Sequence, residues 1–233
     1  MKCFRLLMAA STCAAAMVAN AADIPGLYST GLNDFGAGLA GGAVDTHYTF
    51  QSGGTATGST CGTSMCGHVA LAAAFPIPPW IPADTSPNPG SNWLTPSANQ
   101  GDSYDPTSNG TYKWTLTFDL KGYVAATASF SGLFAADNGA TVQLNDGGPI
   151  LGTATGFDAW SGFSSAGATF NAGINTLVFT VTNLARDGGN PTGLRVQFTE
   201  SSVTPVPEPE AYGLAIAGLG LVAFGLRRRR PTR

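Results

Sequence analysis

The chain has 233 residues with 11 Lys+Arg against 14 Asp+Glu, a formal charge of −3. Seven of the basic residues (Lys2, Arg5, Arg227, Arg228, Arg229, Arg230 and Arg233) lie at the two ends, so four basic residues face 13 acids in between. A surface of that sign repels phosphate backbones and excludes nucleic-acid binding, while it suits divalent cations or neutral sugars.

Lys2 and Arg5 open the chain, residues 6–18 are small and apolar, and Ala19-Asn20-Ala21 forms an A-x-A cleavage site. This order describes a signal peptide over 1–21, cut after Ala21 at the site set by Ala19 and Ala21. Cys13 lacks the leucine and small residue that precede a lipidated cysteine, so lipidation is not expected. Cys3 and Cys13 leave with the signal peptide.

The body of the protein, residues 22–202, is rich in Gly, Thr, Asn and Asp and poor in helix formers. Cys61 and Cys66 flank a short Gly/Ser stretch, and in an oxidising compartment they read as a local disulfide. A zinc site shared with His68 is the alternative, but it lacks a second cysteine pair. His47, beside the alternating Tyr48-Thr49-Phe50, reads as a structural hydrogen-bonding side chain. Residues 76–110 carry eight prolines together with Trp80 and Trp93. A connection of that length is either functional or poorly ordered. The two tryptophans either pin the loop to the domain or offer a face to a sugar ring, where stacking gives affinity.

From residue 112 the pattern is strand. Tyr112, Trp114, Leu116 and Phe118 alternate with polar residues, and Val124, Ala126, Ala128 and Phe130 repeat the pattern after a turn at Lys121-Gly122. Val142 and Leu144 run into Asn145-Asp146-Gly147-Gly148, a hairpin signal. Trp160 is expected in the core. Leu177, Phe179 and Val181, then Leu194, Val196 and Phe198, complete the set. Short strands between Gly/Asn/Asp turns predict an all-β, two-sheet antiparallel sandwich. Asp137, Asn138 and Asn145 carry oxygen donors near strand ends that suit calcium. The competing reading is a plain turn whose side chains satisfy local backbone, and it is preferred.

Several short motifs in this region resemble those of galactose-binding-like jelly rolls. They are Asp45-Thr46-His47-Tyr48-Thr49, Phe118-Asp119-Leu120, Ala135-Ala136-Asp137-Asn138 running into Val142-Gln143-Leu144-Asn145, Phe170-Asn171-Ala172-Gly173-Ile174-Asn175-Thr176-Leu177, and Asn190-Pro191-Thr192-Gly193-Leu194-Arg195-Val196. The resemblance implies a jelly-roll sandwich over about residues 27–200 that is related to sugar-binding modules and to non-catalytic domains of glycosidases. It does not by itself assign a ligand.

Catalytic chemistry finds little support. There are two histidines and no Gly-x-Ser-x-Gly elbow, phosphate loop, dinucleotide fingerprint or HExxH. No pair of acids is singled out for glycoside hydrolysis. No catalytic residue is assigned and no cofactor is expected beyond the calcium option.

The segment 203–233 has three parts: Val206-Pro207-Glu208-Pro209, an uncharged run over 211–226, and Arg227–Arg230 within a basic end. Sixteen residues make a helix about 24 Å long, short for a hydrocarbon core of about 30 Å. Snorkelling arginines and local thinning make up the difference for a transient transmembrane helix. The four arginines hold that end in the cytoplasm. This arrangement resembles the PEP-CTERM signal of Gram-negative bacteria, in which Pro207, Glu208 and Pro209 would be the motif read by an exosortase. The resemblance implies export, brief anchoring in the inner membrane, and delivery to the cell surface or extracellular matrix. The expected role is a non-catalytic matrix protein associated with exopolysaccharide or biofilm. The alternatives are a secreted glycan-active hydrolase and a purely structural envelope protein.

Overall fold

The computed structural model describes residues 20–53, 67–70, 79–82, 84, 86, 90–207, 213, 216–221, 223 and 224. It divides the chain into two compact units, one of Ala21–Pro205 and one of Met1–Asn20 with Val206–Arg233.

The larger unit holds two antiparallel sheets. One is built from β1 (Val44–Asp45), β3 (Gly67–Ala70), β4 (Trp93–Thr95), β6 (Tyr123–Asp137), β9 (Ser161–Ser164) and β11 (Gly193–Pro205), in the order β1-β3-β4-β11-β6-β9. The other is built from β2 (Tyr48–Ser52), β5 (Gly110–Asp119), β7 (Gly139–Leu144), β8 (Ile150–Ala154) and β10 (Ile174–Asn183), in the order β2-β5-β10-β7-β8. The chain crosses between sheets at most connections, as jelly rolls do. The Asn145–Gly148 turn does join a hairpin, β7–β8, with Asn145 and Gly147 both at positive φ. Lys121-Gly122, by contrast, carries the chain from one sheet to the other.

The period-two alternation places the core. Tyr112, Trp114, Leu116 and Phe118 of β5 and Leu177, Phe179 and Val181 of β10 are all buried, while the residues between them are not. Leu194 and Val196 of β11 and Phe130 and Phe134 of β6 meet them from the facing sheet. Each such side chain contributes about 1.5–3 kcal/mol on leaving water. In β6 the alternation overstates the core: Val124 is 38 % exposed, and burial begins at Phe130. In the first part of this fifteen-residue strand Val124 and Ala126 stay exposed, while Tyr123, Ala125 and Ala128 are only partly buried against the core.

Phe163 of edge strand β9 lies between the sheets. Its ring packs edge-on against Phe134 at 5.5 Å, Phe198 at 5.6 Å and Phe179 at 6.0 Å. Gly132, its direct partner on β6, makes room for it. A Cβ at Gly132 would sit 2.5 Å from the Phe163 ring and 2.7 Å from the Gln197 carbonyl oxygen.

A second, smaller apolar layer lies on the far face of the six-stranded sheet. Trp80 and Trp93 pack ring to ring at 4.3 Å over Ala135, with Ile81, Phe157 and Trp160 around them. Trp160, expected in the core, is instead half-buried in this outer layer. The 76–110 stretch is not a bare loop either, because β4 runs through it and pairs with β3 and β11. Arg195, pointing out from β11, clamps the connection. Its Nε donates to the Ser91 hydroxyl at 2.9 Å, Nη1 to the Pro82 carbonyl at 2.6 Å, and Nη2 to the Ser91 carbonyl at 2.8 Å. The guanidinium lies 5.0 Å from the Trp160 ring centre, a cation–π geometry. Burial lowers its pKa to about 10.

The two ends of this unit meet. Ala22 and Val203 exchange backbone hydrogen bonds of 2.9 and 2.8 Å, so the start of the domain is paired with its last strand.

Gly132→Ala should destabilise the sandwich by about 1–3 kcal/mol through overpacking against Phe163. Urea denaturation of wild type and variant should show a lower midpoint at unchanged slope.

Candidate functional site

The tail begins where β11 ends. Pro205 is still paired with Tyr123, and the predicted motif starts two residues later at Pro207. Glu208 and Pro209 lie outside the described residues, as do Arg227, Arg228, Arg229 and Arg230. Among the described residues of the apolar run, Gly213, 216–221, 223 and 224 are helical. Ile216, Leu219, Leu221 and Phe224 are all more than half exposed. No described helix is long and apolar enough to cross a membrane. At the other end, Ala21 opens the sandwich unit, and Ala19 lies outside the described residues. Cys61 and Cys66 lie outside them too.

Trp80 and Trp93 do not offer a face to a sugar. They are 3 % and 2 % exposed. Trp80 Nε1 donates to Asp137 Oδ2 at 2.8 Å and Trp93 Nε1 to the Ile81 carbonyl at 2.9 Å. Both rings pin the connection to the sheet, which is the other reading the sequence allowed. The physical reason is their mutual packing over Ala135 with the rings tilted by 37°, which leaves neither indole exposed.

Asp137, Asn138 and Asn145 do not form one cation site. Asp137 and Asn138 precede β7 and Asn145 follows it, so the strand separates them by roughly 20 Å. Their oxygens are also engaged. Asp137 accepts from Trp80, Asn138 Oδ1 accepts from the Leu184 amide at 2.7 Å, and Asn145 Oδ1 accepts from the Thr176 amide at 2.9 Å. Among the described residues, no group of three His, Cys, Asp or Glu could hold a metal ion.

His47 sits between two acids. Its Nε2 lies 2.8 Å from Asp34 Oδ1, its Nδ1 lies 3.2 Å from the buried Asp45, and its ring stacks on Tyr28 at 3.7 Å. Asp45 also accepts from the Gly31 and His47 amides. Burial nonetheless raises its pKa. The group ties the N-terminal segment to β2.

Among the described residues, a cleft of about 730 Å³ lies at one end of the β9-β6-β11 surface. Strand register builds it. Ser131 of β6 stands between Ser164 of β9 and Glu200 of β11, and Ser129 pairs with Ser202 in the next row. A register shift between Phe198 and Glu200 brings both Thr199 Oγ1 and Glu200 Oε2 to the Ser131 hydroxyl, at 3.1 and 3.4 Å. The turn Ser165–Ala168 closes one side, held by the Ala168 amide donating to the Ser165 carbonyl. Small side chains make the recess, and serine hydroxyls line it with groups that both donate and accept. Its volume lies in the range of small-ligand sites. Sequence reasoning missed this cleft. The only trace in the sequence is the enrichment in Ser and Ala over 126–131, 164–168 and 201–202.

A family model described as the PEP-CTERM protein-sorting motif matches residues 205–230. The chain therefore carries a PEP-CTERM sorting motif. No curated protein matches it. Among solved structures, the chain is similar to the family 11 carbohydrate-binding module from Clostridium thermocellum in complex with a β-1,3-1,4-mixed-linked tetrasaccharide. The identity is 12 % and the TM-score 0.32, over 73 % of this chain and 95 % of the other. It is also similar to the family 11 module of cellulosomal cellulase Lic26A-Cel5E of Clostridium thermocellum, at 12 % identity and TM-score 0.33, over 78 % of this chain and 96 % of the other.

Burial pushes the Asp137 carboxyl up to about 7, against the opposing effects of the Trp80 indole and the Arg186 charge. The folded protein then holds this proton more tightly than the unfolded chain does. The contribution of Asp137 to stability therefore falls as pH rises from about 4 to about 7, by on the order of 2–4 kcal/mol. Asp137→Asn should remove this dependence. Thermal unfolding across that range should show the variant gaining on wild type as pH rises.

Proposed function

We propose that this protein is exported, held briefly in the inner membrane by its tail, and delivered by an exosortase to the cell surface or extracellular matrix. There its sandwich associates with exopolysaccharide, in a biofilm or comparable matrix, without catalysing a reaction. The observation that carries this reading is the sorting motif at 205–230, placed directly after the last strand of a folded domain. The A-x-A site at Ala19 and Ala21 supports export.

The two-sheet sandwich, the acid excess and the hydroxyl-lined cleft support a polysaccharide partner over a nucleic acid. The carboxyls that burial raises, Asp45 and Asp137, support the non-catalytic part. Both are buried and already accept hydrogen bonds from neighbouring groups. A general acid for glycoside cleavage has to reach a leaving-group oxygen.

Fractionation of cells expressing wild type and Glu208→Ala tests the sorting step. Wild type should leave the inner membrane in shortened form, and the variant should accumulate there at precursor length. Equal retention of both at full length would refute sorting through this motif. In a separate assay, the full chain in detergent should release no product from a glycan panel. Product release abolished by one Asp→Asn change would overturn the non-catalytic reading.

A further inference from the structure

We propose that the cleft between β9, β6 and β11 binds a glycan carrying free amino groups, an inference that rests on the matrix-associated reading above. The lining selects the ligand by charge. Among the described residues, no Lys, Arg or His borders the recess, and Glu200 is the only charged side chain there. Anionic ligands such as phosphate, sulfate or uronate polymers would find no counter-charge there, and the acid excess of the whole domain repels them further. An ammonium group is the complement of an accessible carboxylate, and the resulting hydrogen bond is of the stronger, charge-assisted kind.

The rest of the lining suits the rest of such a chain. Ser129, Ser131, Ser164 and Ser202 come from three adjacent strands and form two cross-strand rows. Their hydroxyls match sugar hydroxyls, which also donate and accept at once. The recess is open along one side and holds about 730 Å³, which leaves room for a chain to run through. Glu200 stands in the same row as Ser131 and Ser164, so a sugar seated on the serines brings a ring substituent to the carboxylate. One contact already made there, from the Ser131 hydroxyl at 3.4 Å, leaves most of the acceptor capacity of Glu200 unused.

Calorimetric titration of the full chain in detergent with three oligosaccharides tests this. The probes are a glucosamine hexamer, an N-acetylglucosamine hexamer and an oligogalacturonate, at about pH 5.5, below the usual range of amines. The glucosamine hexamer should bind most tightly, the acetylated hexamer more weakly, and the oligogalacturonate not at all. Glu200→Gln should weaken the glucosamine hexamer about tenfold, the effect of losing one charge-assisted hydrogen bond, and leave the acetylated hexamer unchanged. Ser164→Leu, which fills the recess, should abolish both.

Equal affinity of wild type and Glu200→Gln for the glucosamine hexamer, or tighter binding of the oligogalacturonate, would overturn the proposal. Binding of matrix polysaccharide without binding of the glucosamine hexamer would overturn it while the matrix reading stands. Failure of wild type to bind any glycan would overturn both.

Discussion

Phe163 fastens the edge of the sandwich to its centre. β9 is four residues long and pairs only with β6, so its backbone hydrogen bonds alone would hold it weakly. Its one large apolar side chain enters the space between the sheets, where it meets Phe130, Phe134, Phe179 and Phe198. Those rings come from β6, β10 and β11, so a single side chain couples four strands across both sheets. Gly132 permits this because a glycine there leaves a hole of the required shape. The neighbouring residue, Ser164, points the other way by the pleat of the strand and forms a wall of the cleft. The cleft thus inherits its position from an aromatic contact on the opposite face of the same strand.

The outer face of the six-stranded sheet is used in two different ways along its length. At one end Trp80, Trp93, Trp160 and Arg195 seal it under the proline-rich connection. At the other end small side chains leave it open. Burying Arg195 without a bonded carboxylate would be costly, yet two carbonyls, a hydroxyl and an indole face surround it. This arrangement ties Pro82 and Ser91 to β11, away from the end of the sheet where Glu200 stands.

The long strands were legible from alternation alone. Residues 112–118 and 177–181 show an unbroken period of two because one face of each strand meets the facing sheet along its full length. The turns at Lys121-Gly122 and Asn145–Gly148 were equally visible, since they depend on local backbone chemistry. Short strands such as β4 and β9 were not legible, because three or four residues carry too little periodicity. The tryptophans in the connection were ambiguous for a related reason. Whether an indole is buried depends on what lies beneath it, here Ala135, a distant residue. The cleft was invisible because its serines lie in separate segments that only strand register brings side by side. Asn145 failed as a partner of Asp137 for the same reason: closeness in sequence along a strand means distance in space. The tail, a linear signal, was readable outright.

The pairing of Ala22 with Val203 has a mechanical consequence. The domain begins and ends side by side at the end of β11, so a pull on its C-terminus acts close to its N-terminus. Tension applied at Pro205 runs along β11, which lies between β4 and β6 and is hydrogen-bonded lengthwise to β6 from Gly193 to Pro205. Such a load acts in shear, where many hydrogen bonds must yield together, and not as a zipper opened one bond at a time. The strand that leads into the sorting motif is therefore also well placed to bear force applied at the end of the domain.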